Sequence, residues 1–169
     1  PRRCPQRARQ RGRSVLAVRR RVGGDPTGRH RDVPLDARND PLPYVALLED
    51  WRADTEPPSF VGLYAASRRR SAETVAAAAI PVEQVARLLL VAGGDDKVWP
   101  SVAMAEAIRR RRASRGLATT LVSDPEAGHR AVLPGELPAG GGGVMQRGGT
   151  DEADRRLGSA AWAELEALL

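Results

Sequence analysis

The sequence predicts an α/β fold with parallel strands joined by crossover helices. Three observations carry this. Leu88 to Ala92 is a continuous apolar run of strand length bounded downstream by glycines, the pattern of a strand covered on both faces in a parallel sheet. ATTLVSD (118–124) is again β-type in composition. Between them, SVAMAEAIRRRRASRG (101–116) holds helix formers, with Met104 and Ile108 on one face at i, i+4. Strand, helix and strand in that order predict a βαβ unit with a right-handed crossover.

The elements follow in chain order. PRRCPQRARQRGR (1–13) has no apolar periodicity and reads as a disordered arm. SVLAV (14–18) has the length and texture of a short strand. Residues 19–43 are charged and rich in Gly and Pro, hence loop. FVGLYAASRRRSAETVAAAA (60–79) is helical in composition, and Pro81 ends it. In the helix at 101–116, Ser101 is placed as N-cap and Gly116 as stop. PEAGHRAVLPGELPAGGGG (125–143) is a loop. The final stretch, 150–169, opens with acidic residues, and Leu157, Ala161, Leu165 and Leu168 form a helical stripe. The expected division is an Arg-rich, poorly ordered or diverged segment at 1–40 and an α/β part at 41–169.

Composition excludes several classes. The chain has 169 residues, enough for one domain with a core. Of its 27 basic residues Lys97 is the only lysine, leaving 26 arginines. A bias so uniform reflects coding preference, so the net charge of +6 is weak evidence for a basic partner. One cysteine, Cys4, gives no disulfide framework, and two histidines, His30 and His129, argue against a multi-histidine metal site. No apolar run approaches the roughly 20 residues of a membrane span, and no signal-peptide order opens the chain. No membrane association and a cytoplasmic location are therefore expected. The chain begins at Pro1, and its only methionines are Met104 and Met145, so it reads as a fragment or processed product.

Chemistry is expected at the carboxyl ends of the parallel strands. VAGGDDKVWPS (91–101) places Asp95 and Asp96 after one strand, and His129 follows the next. An Asp that accepts the imidazole N–H fixes its tautomer and stabilises its cation, leaving the second ring nitrogen to act as a base. Alone, GGDD is a turn and a single His a surface residue. On successive strand ends they favour a catalytic pair.

These residues also resemble a known family. IPVEQVARLLLVAGGDDKVWPSVAMAEAI (80–108) is similar to the C-terminal part of the acyl-CoA thioester hydrolases and bile-acid-CoA:amino-acid N-acyltransferases. EDWRADTEPPSFVGLY (49–64), PEAGH (125–129) and GGTDEA (148–153) follow in the same order and at similar spacing. The resemblance covers about 41–169 and is most specific in G-x-D-D-x-x-W-P-S and AGH. It implies a partial α/β-hydrolase fold and acyl transfer from a CoA thioester, with an acyl-CoA substrate and no metal or cofactor. Asp96, at the D-x-x-W-P position, becomes the acid of a triad and His129 its base. Asp95 becomes a neighbour that shapes the turn. The acyl chain, the choice between water and an amine as acceptor, and the oligomeric state stay open.

The nucleophile of such a triad sits on a G-x-S-x-G elbow. The chain contains no G-x-[S/C]-x-G segment. Ser67, Ser71 and Ser101 lie in or at the start of helical segments, and Ser14 opens a strand. Cys4 precedes the acid, but RRCPQR lacks the glycines of a sharp turn, and Pro5 removes the backbone N–H that would help form an oxyanion hole. The expectation is an acid–base pair whose nucleophile this chain lacks. A non-catalytic remnant of the same fold is the first alternative, and a basic nucleic-acid-binding protein the second.

Other features have plainer readings. RRRR (109–112) spreads around a helix rather than along one stripe and is read as a solvated helix end, with no specific nucleic-acid partner. GGGG (140–143) lacks the context of a phosphate loop. Trp99 is expected to pack at the turn after the acid, and Trp162 to anchor the last helix to the sheet. His30 is placed on the surface.

Overall fold

The computed structural model describes residues 18–21, 32–35, 40, 42–70, 72–137 and 144–168. The arm at 1–13, Cys4, His30 and the glycine run at 140–143 lie outside the described residues. The chain divides into two compact units, Pro1–Tyr44 and Val45–Leu169.

In the first unit, β1 (Val18–Arg21) and β2 (Asp32–Leu35) pair antiparallel, with Val18 opposite Leu35 and Arg21 opposite Asp32. Sequence reading placed all but Val18 of these residues in a loop. Among the described residues this sheet has two strands and each is an edge, so Pro34 can sit in β2 despite lacking an N–H. The other residues of the strand expected at 14–18 lie outside the described residues.

The second unit contains the expected βαβ element. β3 (Leu89–Gly93) and β4 (Thr120–Asp124) run parallel, Leu89 opposite Thr120 and Gly93 opposite Asp124. α3 (Ser101–Ala113) connects them and packs against β3, and α4 (Asp151–Leu168) packs against both strands. The α/β class with parallel strands is thus the observed one. The core centres on Ala127, Ala153 and Leu157, with Val122 and Ala131 against it. On α4, Leu157 and Ala161 are buried and Leu165 and Leu168 half-buried, so the apolar stripe faces inward. The acidic first turn of α4 matches the positive end of its dipole.

The helix expected over 60–79 is two helices, α1 (Val61–Arg70) and α2 (Ala72–Ala77). Ser67 on α1 is buried. Its hydroxyl donates to the Leu63 carbonyl at 2.8 Å and accepts the Leu48 N–H at 3.1 Å, fastening the preceding irregular segment to the helix. The start of α1 is fastened to the loop after β3. The Phe60 and Val61 N–H groups and the Ser59 hydroxyl all donate to the Lys97 carbonyl, at 2.8, 3.1 and 2.8 Å.

Four expectations need correction. β3 is not covered on both faces: Val91 is 40% exposed, because β4 is its only sheet neighbour among the described residues. Ser101 does not cap α3; the helix starts at Ser101, with Pro100 in the cap position, and the hydroxyl is engaged elsewhere. The arginine run is not uniformly solvated. Arg112 is fully buried, donating to the Val82, Val85 and Ala118 carbonyls and to Thr119 Oγ1, so it ties the short 3-10 turn Val82–Gln84 to the α3–β4 connection. Trp162 is 37% exposed, and small buried residues seat α4 instead: Ala153, Gly158 and Ala161 allow the helix to approach closely.

Candidate active site

The two strand ends deliver Asp96 and His129 to one place. After β3 the chain turns through Gly94 and Asp95, and Asp96 enters the segment leading into α3. After β4 a turn at Pro125–Glu126 leads to His129. His129 Nδ1 lies 3.0 Å from Asp96 Oδ2 and 3.2 Å from Oδ1. An ionised carboxylate can only accept, so Nδ1 carries the proton and donates it to Asp96. Nε2 is then the nitrogen with a lone pair, and it has no hydrogen-bond partner among the described residues.

Asp96 is 7% exposed and its acceptor positions are well used. Oδ1 accepts the Val98 N–H at 2.7 Å and the Trp99 N–H at 3.0 Å. Oδ2 accepts the Ser101 hydroxyl as well as His129. Burial alone pushes this carboxyl up. The hydrogen bonds from Ser101, the Trp99 N–H, His129 and the Val98 N–H outweigh it, and hold Asp96 below the ordinary carboxylate range. Asp96 therefore stays an anion beside the imidazole.

Asp95 plays a different part. Lys97 Nζ sits 2.6 Å from Asp95 Oδ1, and Oδ2 accepts the Gly149 N–H at 2.9 Å. Both bonds lower its carboxyl, the Lys97 contact first. It shapes the turn and reaches across to the segment before α4, rather than touching the imidazole.

That segment closes the site. The Arg147 carbonyl accepts both the Lys97 N–H at 3.3 Å and the His129 N–H at 2.9 Å. Gly148 and Gly149 have φ of +70° and +72°, where side-chain-bearing residues are strained. A Cβ at Gly148 would also collide with the Asp95 carbonyl, and one at Gly149 with the Gly128 nitrogen. Asp154 Oδ1, in the first turn of α4, accepts the Gly128 N–H at 2.7 Å. The acid loop, the histidine loop and the start of α4 are therefore one hydrogen-bonded assembly.

Trp99 completes the surroundings. Its ring meets His129 edge-on at a centroid distance of 4.9 Å, and the Tyr64 ring also packs on it at 5.9 Å. A cavity of about 180 Å³ opens beside the imidazole, lined by Val91, Gly93, Trp99, Ser101, Gly128, Ala131 and Leu157. Its lining is mostly apolar around the imidazole. Among the described residues no cluster of three or more His, Cys, Asp or Glu side chains is placed to hold a metal ion.

Sequence reading placed Asp96 and His129 together and assigned Asp95 to the turn. It missed the engagement of Ser101 with the acid. The available signal was the spacing, since a hydroxyl five residues after an N-terminal loop Asp can fold back onto it. It also missed the Arg147 carbonyl, for which no side-chain signal exists.

Comparison with known proteins bears on this geometry. Residues 45–138 match the family described as BAAT / Acyl-CoA thioester hydrolase C terminal. The match spans more than half of the chain and includes both Asp96 and His129. The chain belongs to this family. No curated protein and no solved structure matches it. Within the BAAT / acyl-CoA thioester hydrolase C-terminal family, the matched region takes in α1 to β4 and the histidine loop, and ends before α4. Membership makes this an acyl-CoA thioesterase- or acyltransferase-like C-terminal domain and implies an acyl-CoA substrate. No helix among the described residues is long and apolar enough to cross a membrane.

Proposed function

We propose that residues 41–169 are the C-terminal part of an α/β-hydrolase domain in which Asp96 orients His129 to activate a nucleophile for acyl transfer from a CoA thioester. The observation that carries this is the 3.0 Å bond between Asp96 Oδ2 and His129 Nδ1, at the ends of two adjacent parallel strands. Nε2 takes the proton of a Ser or Cys as its oxygen or sulfur attacks the thioester carbonyl. The C–S bond to CoA breaks, and the imidazolium returns the proton to the departing sulfur. Water or an amine then attacks the acyl-enzyme by the same base. Asp96 remains ionised throughout and stabilises the imidazolium.

The nucleophile is the missing part. These 169 residues contain no G-x-[S/C]-x-G segment, and in this reading it lies upstream. The 169-residue chain alone is expected to release little or no CoA. The test is to translate the coding region upstream of Pro1 in all three frames, and to assay an extended chain. An elbow there, with CoA release reduced about 10^2–10^4-fold by His129→Ala, supports the proposal. Turnover by the 169-residue chain itself, abolished by His129→Ala and untouched by Cys4→Ala, would show that an unrecognised nucleophile is present.

The absent elbow also favours a second reading, a non-catalytic remnant of the same fold, which would follow if no frame contains an elbow. Nucleic-acid binding has no comparable support. Arg112 is interior, Arg111 pairs with Glu83 at 2.7 Å and Arg109 with Glu106 at 2.8 Å.

A further inference from the structure

We propose that Ser101 is a positioning residue: its hydroxyl shares Asp96 Oδ2 with the His129 imidazole, and so sets both the direction and the strength of the bond that holds the base. The inference rests on the reading of His129 as that base.

Oδ1 of Asp96 accepts the Val98 and Trp99 N–H groups and lies 3.2 Å from His129 Nδ1, farther than Oδ2. Oδ2 has two positions left, and the Ser101 hydroxyl takes one. The imidazole receives the other, at 3.0 Å. A carboxylate with one oxygen held by two backbone donors could still tilt about that oxygen. The Ser101 bond fixes the second oxygen. Ser101 is the first residue of α3, which packs on β3, so the fixing point is part of the scaffold rather than of a loose loop. Ser101 also lines the cavity beside His129.

The bond has an electronic consequence as well. A donor on Oδ2 withdraws charge from the oxygen that the imidazole uses. It is the first of the interactions that hold Asp96 below the ordinary carboxylate range against its burial. Ser101 thereby moderates how tightly Asp96 binds the imidazolium. A base must give its proton back, so a carboxylate left fully to the histidine would hold that proton to higher pH and return it more slowly.

The test is an NMR titration of the His129 ring in the full 169-residue chain, with a His30→Asn variant to assign the two histidines. Ser101→Ala is expected to move the His129 midpoint upward by about half a unit or more, and Ser101→Thr, which keeps the hydroxyl, to leave it near the original value. The other charged groups around the loop are Asp95 with Lys97, Asp154 on Gly128, and the flanking Arg130 and Arg147. They are the same in all three proteins and cancel in the comparison. A midpoint that is unchanged or lowered in Ser101→Ala, or moved equally by both variants, overturns the proposal. Should Ser101→Ala fail to fold, the unsubstituted chain decides: a slowly exchanging Ser101 hydroxyl proton with a cross-peak to the His129 Nδ1 proton is expected, and its absence overturns the proposal. These readouts need no substrate. A negative result leaves the acyl-transfer reading standing, and a failure to find CoA release in an extended chain leaves the titration result standing.

Discussion

Trp99 and His129 stand at right angles in contact, with their ring centroids 4.9 Å apart and their planes at 84°. An indole this close reports the charge on the imidazole. A protonated imidazole is expected to quench Trp99 emission, so acidification should dim it. The quench should vanish in His129→Ala and in Trp99→Phe, and persist when Trp51 or Trp162 is replaced. A steady-state fluorescence titration of the four variants checks this.

Asp96 supports the fold as well as the histidine. Asp96→Ala strands the Val98 and Trp99 N–H groups, the Ser101 hydroxyl and the His129 Nδ1–H at once. The expected loss is about 2–4 kcal/mol in urea unfolding at neutral pH. Its carboxyl lies below the ordinary range when folded. The charge-dependent contribution is therefore complete above the ordinary Asp value of about 4, and is lost as pH falls through the folded value. The gap between the original chain and Asp96→Ala is expected to narrow in acid, and a gap that widened there would contradict the assignment.

Arg112 is a buried cation held by neutral oxygens only: three carbonyls and the Thr119 hydroxyl. Arg112→Ala takes this donor from the Val85 and Ala118 carbonyls and the Thr119 hydroxyl, while the Val82 carbonyl keeps the Val85 N–H, and is expected to destabilise by about 3–5 kcal/mol. Arg112→Lys should recover little of this, because an ammonium cannot reproduce the guanidinium fork. Thermal unfolding of Arg112→Lys beside Arg110→Lys, at an exposed neighbour, separates the fork from mere charge.

The Gly148–Gly149 turn admits no side chain. Gly148→Ala must accept positive φ and a clash with the Asp95 carbonyl. A loss of about 1–3 kcal/mol is expected, together with displaced amide resonances at Asp95 and His129. Gly135→Ala, also at positive φ but with open space around its Cβ position, should leave those resonances in place.

The sequence made the parallel pair legible because β3 and β4 are apolar runs with a helical pattern between them, and because strand ends collect chemistry. Asp96 and His129 were therefore locatable before any coordinates. The exposure of Val91 was not, since an apolar run records what a strand prefers and not which neighbours it has. Arg112 shows a second limit. Four consecutive arginines look alike in sequence, and only the 3-10 turn and the α3–β4 connection, folded around one of them, distinguish it. Ser101 shows a third: a serine before a helix has two acceptable uses, capping its own helix or bonding a nearby carboxylate, and tertiary contact chose the latter. The β1–β2 pair was missed because charge and proline outweighed the short strand signal.

The Arg147 carbonyl accepts one amide from the acid loop and one from the histidine loop. Every amino acid carries that oxygen, so the junction itself is made by the backbone and not by a side chain. What it demands is chain length: a carbonyl must arrive at this point, one residue before the two glycines. A single-residue insertion or deletion between 144 and 149 would therefore pull the two loops out of register with each other.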